Sequence, residues 1–300
     1  GVLAVLILAE TGIHGIVSIT DNGTANRDIY VESEQEIGGL LESAGVDQVD
    51  YRTAIVNPLV RNEEILYQLN GMSMYSSTNT EEMWNFVKNM GFENLENRFQ
   101  YAGSTEVMDM LLGIRYLFCR NTRTLHTAYK KIAESQSFDL YENPRALRSG
   151  YMVSDSVLDY AMEGTDPLEV QNRLLSGIVG KRLYKMQTVN SDTALIGNTT
   201  FNIHLKKGEH GYLYIPGTEP DTVTINGQEQ KSDYWNNNFL DLGTYNVDTI
   251  VQVTTGTGMH EAVLGTYQES ELDTIYEELS SQQMDLKLSL IHISEPTRRS

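Results

Sequence analysis

At Tyr184 the chain changes character, and that change bounds its fold more tightly than any single motif. Before it, helix-patterned and strand-patterned segments alternate; after it, Gly, Thr, Asn and β-branched residues dominate. The later part offers candidate strands at Tyr184 to Val189, Thr199 to Leu205, Gly211 to Ile215, Thr222 to Ile225, Phe239 to Leu242 and Thr249 to Thr254. Val223 and Ile225, followed by Asn226-Gly227, form a hairpin signal, because that pair accepts the left-handed backbone a two-residue turn requires. Short strands punctuated by turn residues predict an antiparallel β-sandwich.

Ahead of Tyr184 the periodicity switches repeatedly. Ser33 to Ala44 carries Ile37, Leu40 and Leu41 at helical spacing, and a strand from Tyr51 to Val56 is stopped by Asn57-Pro58. Thr80 is placed to cap a helix containing Met83, Trp84, Phe86, Val87 and Met90, with Glu81 and Glu82 in its first turn and Gly91 at its end. A strand at Arg98 to Tyr101, a helix at Ser104 to Leu112 and a buried strand at Ile114 to Cys119 follow. Helices are also predicted at Pro167 to Val179 and Ser270 to Leu279. The expected class is α+β: a mixed α/β layer domain followed by the β-sandwich, with the end of a transmembrane helix at the N-terminus.

That last expectation comes from Val2 to Ile19, an apolar run interrupted by Glu10 and His14. A bilayer span needs about 20 mostly apolar residues, so the run reads as the last turns of a membrane helix that begins before Gly1. The turn signal Asp21-Asn22-Gly23-Thr24 ends it. At the other terminus, Leu288 to Arg298 spell LSLIHISEPTR, one reading frame of a transposase-type sequencing adapter, so Leu288 to Ser300 is left out of the fold. The expected organisation is a membrane-helix end at 1–21, an α+β domain at 22–151, a helical connector at 152–183, the β-sandwich at 184–267, a helix at 268–287 and the adapter-like tail at 288–300.

A formal net charge of −19 repels nucleic-acid phosphates, which excludes that class of partner. With one cysteine, Cys119, no intrachain disulfide forms, and scattered histidines give no metal-ligand spacing, so neither a metal nor a cofactor is expected. The chain has no phosphate loop, no GxSxG elbow and no HExxH helix. Its adjacent acids (Glu81/Glu82, Glu277/Glu278, Asp155/Asp159) read as helix-end and solvated charges, so no catalytic residue is assigned. Tyr75, Ser76, Ser77 and Asn79 form a polar, aromatic loop ahead of a helix, suited to contact a sugar by stacking and hydroxyl hydrogen bonds, or else to cap that helix. Arg52 offers a guanidinium to an acidic group of a substrate or a lipid phosphate, or else makes a structural ion pair.

Several segments together resemble one family. Asn70-Gly71-Met72-Ser73-Met74-Tyr75-Ser76-Ser77-Thr78 is similar to a "GxxxYSS" stretch, and Gly103-Ser104-Thr105 through Asp109-Met110-Leu111-Leu112-Gly113-Ile114-Arg115-Tyr116 to a "GST…D-LLGIKY" stretch. Tyr141-Glu142-Asn143-Pro144-Arg145-Ala146-Leu147 is similar to "YENPxALP", with Arg148 in place of the final Pro; Gln171 to Leu175 and Leu213 to Gly217 fit as well. From about Ala9 to Glu278 the chain resembles the YfhO family of bacterial membrane proteins. The resemblance implies a C-type glycosyltransferase in the bacterial cell membrane. Such an enzyme moves a sugar from a polyprenyl-phosphate carrier to a cell-envelope polymer such as lipoteichoic acid. It further implies that this part faces outside and is itself non-catalytic, the catalytic carboxylate lying upstream of Gly1. The alternative reading is a carbohydrate-binding or scaffolding module of envelope assembly without transferase activity.

Overall fold

The computed structural model describes residues 1–21, 27–46, 48–95, 97–120, 129–160, 164, 166–191, 193–195, 198–216, 222–230, 239–256 and 261–284. The turn at Asn22 to Thr24 and the tail from Leu288 to Ser300 lie outside the described residues. The fold is α+β, and among the described residues its sheets are open, with no closed barrel.

The first sheet has four strands in the order Arg52–Val56, Ile114–Arg120, Phe138–Glu142, Lys130–Glu134; the first two run parallel and the others antiparallel. Successive side chains on a strand point to opposite faces, which is how Phe118 and Leu117 reach different cores. On one side the helix Arg27–Ala44 lays Ile37 and Leu40 against Tyr51, Phe118, Phe138 and Leu140. On the other, Ala54, Val56, Leu117, Cys119 and Tyr129 pack together. A small sheet of Met74–Tyr75, Arg98–Gln100 and Glu93–Leu95 lies beside it.

The later strands make two sheets. One runs Gln228–Gln230, Val223–Ile225, Thr249–Thr255, Asn198–Leu205, Thr193–Leu195; the other runs Phe239–Thr244, Glu209–Tyr214, Glu261–Gln268, Lys185–Asn190. Phe201, Ile203, Val251 and Val253 from the first meet Leu213, Leu240, Leu242 and Leu264 from the second in a shared core. Asn226 and Gly227 both take positive φ, 51° and 78°, as the hairpin signal requires.

A third core joins the two halves. The helix Pro167–Val179 starts with Asp166 accepting from the Leu168 N–H and Pro167 in its first turn, and ends at Gly180 with φ 68°. Its Leu168, Val170, Leu174 and Leu175 pack among Met90, Phe92, Val107 and Met108 on one side and Tyr212, Tyr267, Leu272 and Ile275 on the other. The N-terminal helix Val2–Asp21 differs from every other element: Val2, Leu3, Val5, Leu6, Ile7, Leu8, Ile13, Ile16 and Val17 are all exposed. Among the described residues no helix is long and apolar enough to cross a membrane.

Candidate functional site

A cleft lies between the loop that follows the strand Arg52–Val56 and the small sheet of Met74–Tyr75 and Arg98–Gln100. The strand Arg52–Val56 leaves through Asn57 and Pro58 into a loop that turns at Asn62, whose φ is 60°. Asn62 then pairs with the backbone of Tyr75: its Oδ1 accepts from Tyr75 N at 2.6 Å and its Nδ2 donates to Tyr75 O at 3.0 Å. The next two residues turn inward. Glu63 is paired with Arg120 and accepts from Leu59 N (2.6 Å) and Tyr67 Oη (3.1 Å). Glu64 accepts from Ile55 N (3.0 Å), Ser73 Oγ (3.0 Å) and Ser73 N (2.8 Å). Burial pushes the Glu64 carboxyl up to about 7, and these donors pull it only part of the way back. Gly71 has to be glycine for this arrangement, since a Cβ there would lie 2.1 Å from Glu64 Oε2. The cleft is walled by Arg61, Asn62, Ser73, Tyr75, Arg98 and Gln100. The Arg61 guanidinium carbon lies 4.7 Å from the centre of the Tyr75 ring, and Arg98 bonds Glu93 at 3.0 Å.

Of the residues singled out in the sequence, the structure brings Tyr75 to this cleft. Ser76, Ser77 and Asn79 follow it but lie outside the cleft wall. Ser76 Oγ accepts from Thr78 N (3.2 Å), Ser77 is exposed, and Asn79 is half-buried with an unbonded Nδ2; Thr80 caps the helix Glu81–Asn89 by accepting from Met83 N. Arg52 sits at the opposite end of its strand, its Nη1 donating to Leu112 O at 2.5 Å. The structure does not bring Arg52 together with the loop. Sequence reasoning missed Arg61, Asn62, Glu64 and Arg98, and the glycine of Asn70-Gly71 was the one local sign of a side chain packed against the backbone.

A second polar constellation ties the sandwich to the mixed sheet. Glu106 opens the helix Glu106–Leu111 and is 2 % exposed. Its Oε2 accepts from Arg145 Nη1 (3.2 Å) and Tyr267 Oη (3.0 Å). Arg145 continues to Glu269 Oε2 and Asp273 Oδ1, each at 2.8 Å. Facing the other oxygens is His210, fully buried, with Nδ1 at 2.9 Å from Thr244 Oγ1, 3.7 Å from Glu269 Oε1 and 3.9 Å from Glu106 Oε1, and Nε2 at 2.9 Å from Asp241 Oδ1. Burial works against an imidazolium here, but Asp241, Glu269 and Glu106 outweigh it and push His210 up to about 10. Burial also raises Glu106, opposed by His210 and reinforced by Glu269 and Asp241. The Glu269 carboxyl is raised by burial, yet His210 and Arg145 hold it down to about 2. Glu106, His210 and Glu269 place one ligand atom each within 4.8 Å of one another, the spacing of a metal set. Here the imidazolium and the Arg145 guanidinium supply the positive charge those carboxylates need.

These shifts fix the sign of a pH dependence. Asp109, buried under Ser104, Tyr101 and Tyr129 hydroxyls, is also raised by burial to about 7. Raised carboxylates contribute stability that is full below their unfolded pKa near 4 and is lost as pH rises through 7. His210 acts in the same direction between 6.5 and about 10. The melting temperature is therefore expected to fall between pH 5 and pH 8. In a Glu64→Gln, Asp109→Asn double variant the slope up to pH 7 should flatten; a melting temperature that rises over that range, or an unchanged slope in the variant, contradicts the assignment.

The family described as bacterial membrane protein YfhO matches residues 1–287. The chain belongs to the YfhO family. No curated protein and no solved structure matches it. Within the matched region the segments similar to YfhO sequences have identifiable packing roles. Gly113 has φ 68°, and a Cβ there would lie 2.5 Å from Leu147 O, so two of those segments meet backbone to backbone. Asn143 Nδ2 donates to Ile114 O at 3.0 Å, and Leu147 N donates to Met110 O, also at 3.0 Å. Arg148, where the resemblance leads one to expect Pro, uses the N–H a proline lacks: it donates to Gln283 Oε1 at 2.7 Å.

Proposed function

We propose that this YfhO chain is the outward-facing part of a multi-pass membrane protein. Its whole transfers a sugar from a polyprenyl-phosphate carrier to a cell-envelope polymer such as lipoteichoic acid. The observation that carries the reading is the YfhO match over residues 1–287. The exposed apolar residues of the helix Val2–Asp21 support it, because such a surface is stable against lipid or other membrane helices and not against water. In this reading that helix is the end of a membrane span, and the chain facing outside presents its Tyr75 cleft to the acceptor. The most buried acids, Glu63, Glu64, Glu106 and Asp109, are held by donors inside the protein and serve the fold.

Sugar transfer needs a positioned base, a lipid-phosphate site and an acceptor cleft held together, and the reading assigns only the last to this chain. Purified full-length protein is expected to glycosylate the acceptor polymer from a polyprenyl-phosphate sugar, while this chain alone yields no product above background. Transfer by the chain alone would overturn the division of labour. A folded full-length protein that retains glycan without transferring it would favour the scaffolding module instead.

A further inference from the structure

We infer that the cleft between Arg61, Tyr75 and Arg98 binds an anionic group, a phosphate or a carboxylate, carried on a glycan or polyol polymer. Of the proposed function this takes only that the Tyr75 face meets the acceptor.

Arg61 is exposed, it makes no ion pair among the described residues, and its guanidinium lies over the Tyr75 ring. Stacking on an aromatic face leaves the in-plane N–H donors of a guanidinium directed outward, the geometry that grips a phosphate or carboxylate in two-pronged fashion. Arg98 also lines the cleft; it gives Nη2 to Glu93, while its buried Nε has no hydrogen-bond partner. The two acids of the same wall do not oppose an anion strongly. Glu63 is neutralised by Arg120, and Glu64 is turned inward onto Ile55 and Ser73. Asn62 is spent on the Tyr75 backbone, which fixes the ring that carries Arg61. Gln100 adds an amide to the wall, and the Tyr75 ring supplies a flat apolar surface for the carbon skeleton next to the charge.

The test is binding, measured without any transfer reaction. The chain, held in a neutral detergent, is titrated with glycerol phosphate, with glucuronate and with neutral methyl glucoside, following the arginine side-chain N–H resonances. At least one of the two anions is expected to bind saturably and to weaken as salt is raised; glycerol phosphate alone identifies a phosphate-bearing polymer, glucuronate alone a uronate-bearing one. Arg61→Gln should weaken that binding by roughly tenfold at an unchanged melting temperature, because it removes a charge-assisted pair. Arg98→Gln should also weaken it, and Lys207→Gln, on the sandwich, should not. Saturation by methyl glucoside alone would overturn the anion site while leaving the proposed function standing. Binding of neither anion, or anion binding indifferent to Arg61→Gln, would also overturn it.

Discussion

Replacing Arg145 with Met is expected to destabilise the chain by about 3–5 kcal/mol, the usual cost of removing one partner from a buried ion pair. For a chain of this size that corresponds to roughly 10 °C in melting temperature. The reason is the crowding of acids around one guanidinium. Arg145, itself mostly buried, is shared by Glu106, Glu269 and Asp273, and Glu106 has almost no access to water. Without Arg145, the cation facing Glu106 and Glu269 among the described residues is His210, which is also engaged by Asp241 and Thr244. His210→Leu should also be damaging, because it removes the cation that faces Asp241, Glu269 and Glu106 and a ring stacked on Tyr267. The two losses should not add, since both act on Glu106 and Glu269. A Glu106→Gln change made in the Arg145→Met background should recover part of the loss by removing the stranded charge. Loss of less than about 1 kcal/mol in Arg145→Met would show that the constellation contributes little to joining the two halves.

Much of the fold was legible because its determinants are local. The hairpin at Asn226-Gly227 needs two residues, and the helix ahead of Gly91 is announced by Thr80 with Glu81 and Glu82 behind it. The strand Glu261–Gln268 was not legible. It is the central strand between Glu209–Tyr214 and Lys185–Asn190, and Leu264, Gly265, Thr266 and Tyr267 are buried in succession, so no alternation marks it. The joining constellation was hidden for another reason. Glu106 and Tyr267 are 161 residues apart in the chain, and nothing near His210 announces that Asp241 and Glu269 will converge on it. In the cleft, Tyr75 was readable as an aromatic in a polar loop. Its partners Arg61 and Asn62 were not, because their placement depends on the left-handed turn at Asn62 after the strand Arg52–Val56 has docked against Ile114–Arg120. Arg52, which sequence offers to an acidic substrate group, a lipid phosphate or a structural ion pair, donates its Nη1 to the Leu112 carbonyl.

Tyr75→Ala in the full-length protein isolates the cleft from the fold. The Tyr75 side chain is 44 % exposed, and Asn62 holds the residue through backbone atoms that alanine keeps. The stability cost should therefore stay within about 1 kcal/mol. Removing the ring also frees Arg61 from its platform, so acceptor positioning should suffer far more than folding does. Misplacement of a bound substrate by about 1 Å can cost on the order of 100-fold in rate. Ser76 and Ser77 lie outside the cleft wall, and their alanine variants should lose less activity than Tyr75→Ala. The deciding measurement is sugar transfer to the acceptor polymer and melting temperature, taken on the same preparations of wild-type and Tyr75→Ala full-length protein. Turnover is expected to fall by about tenfold or more with a nearly unchanged melting temperature; wild-type turnover in a folded Tyr75→Ala protein would contradict a role for the cleft in acceptor binding.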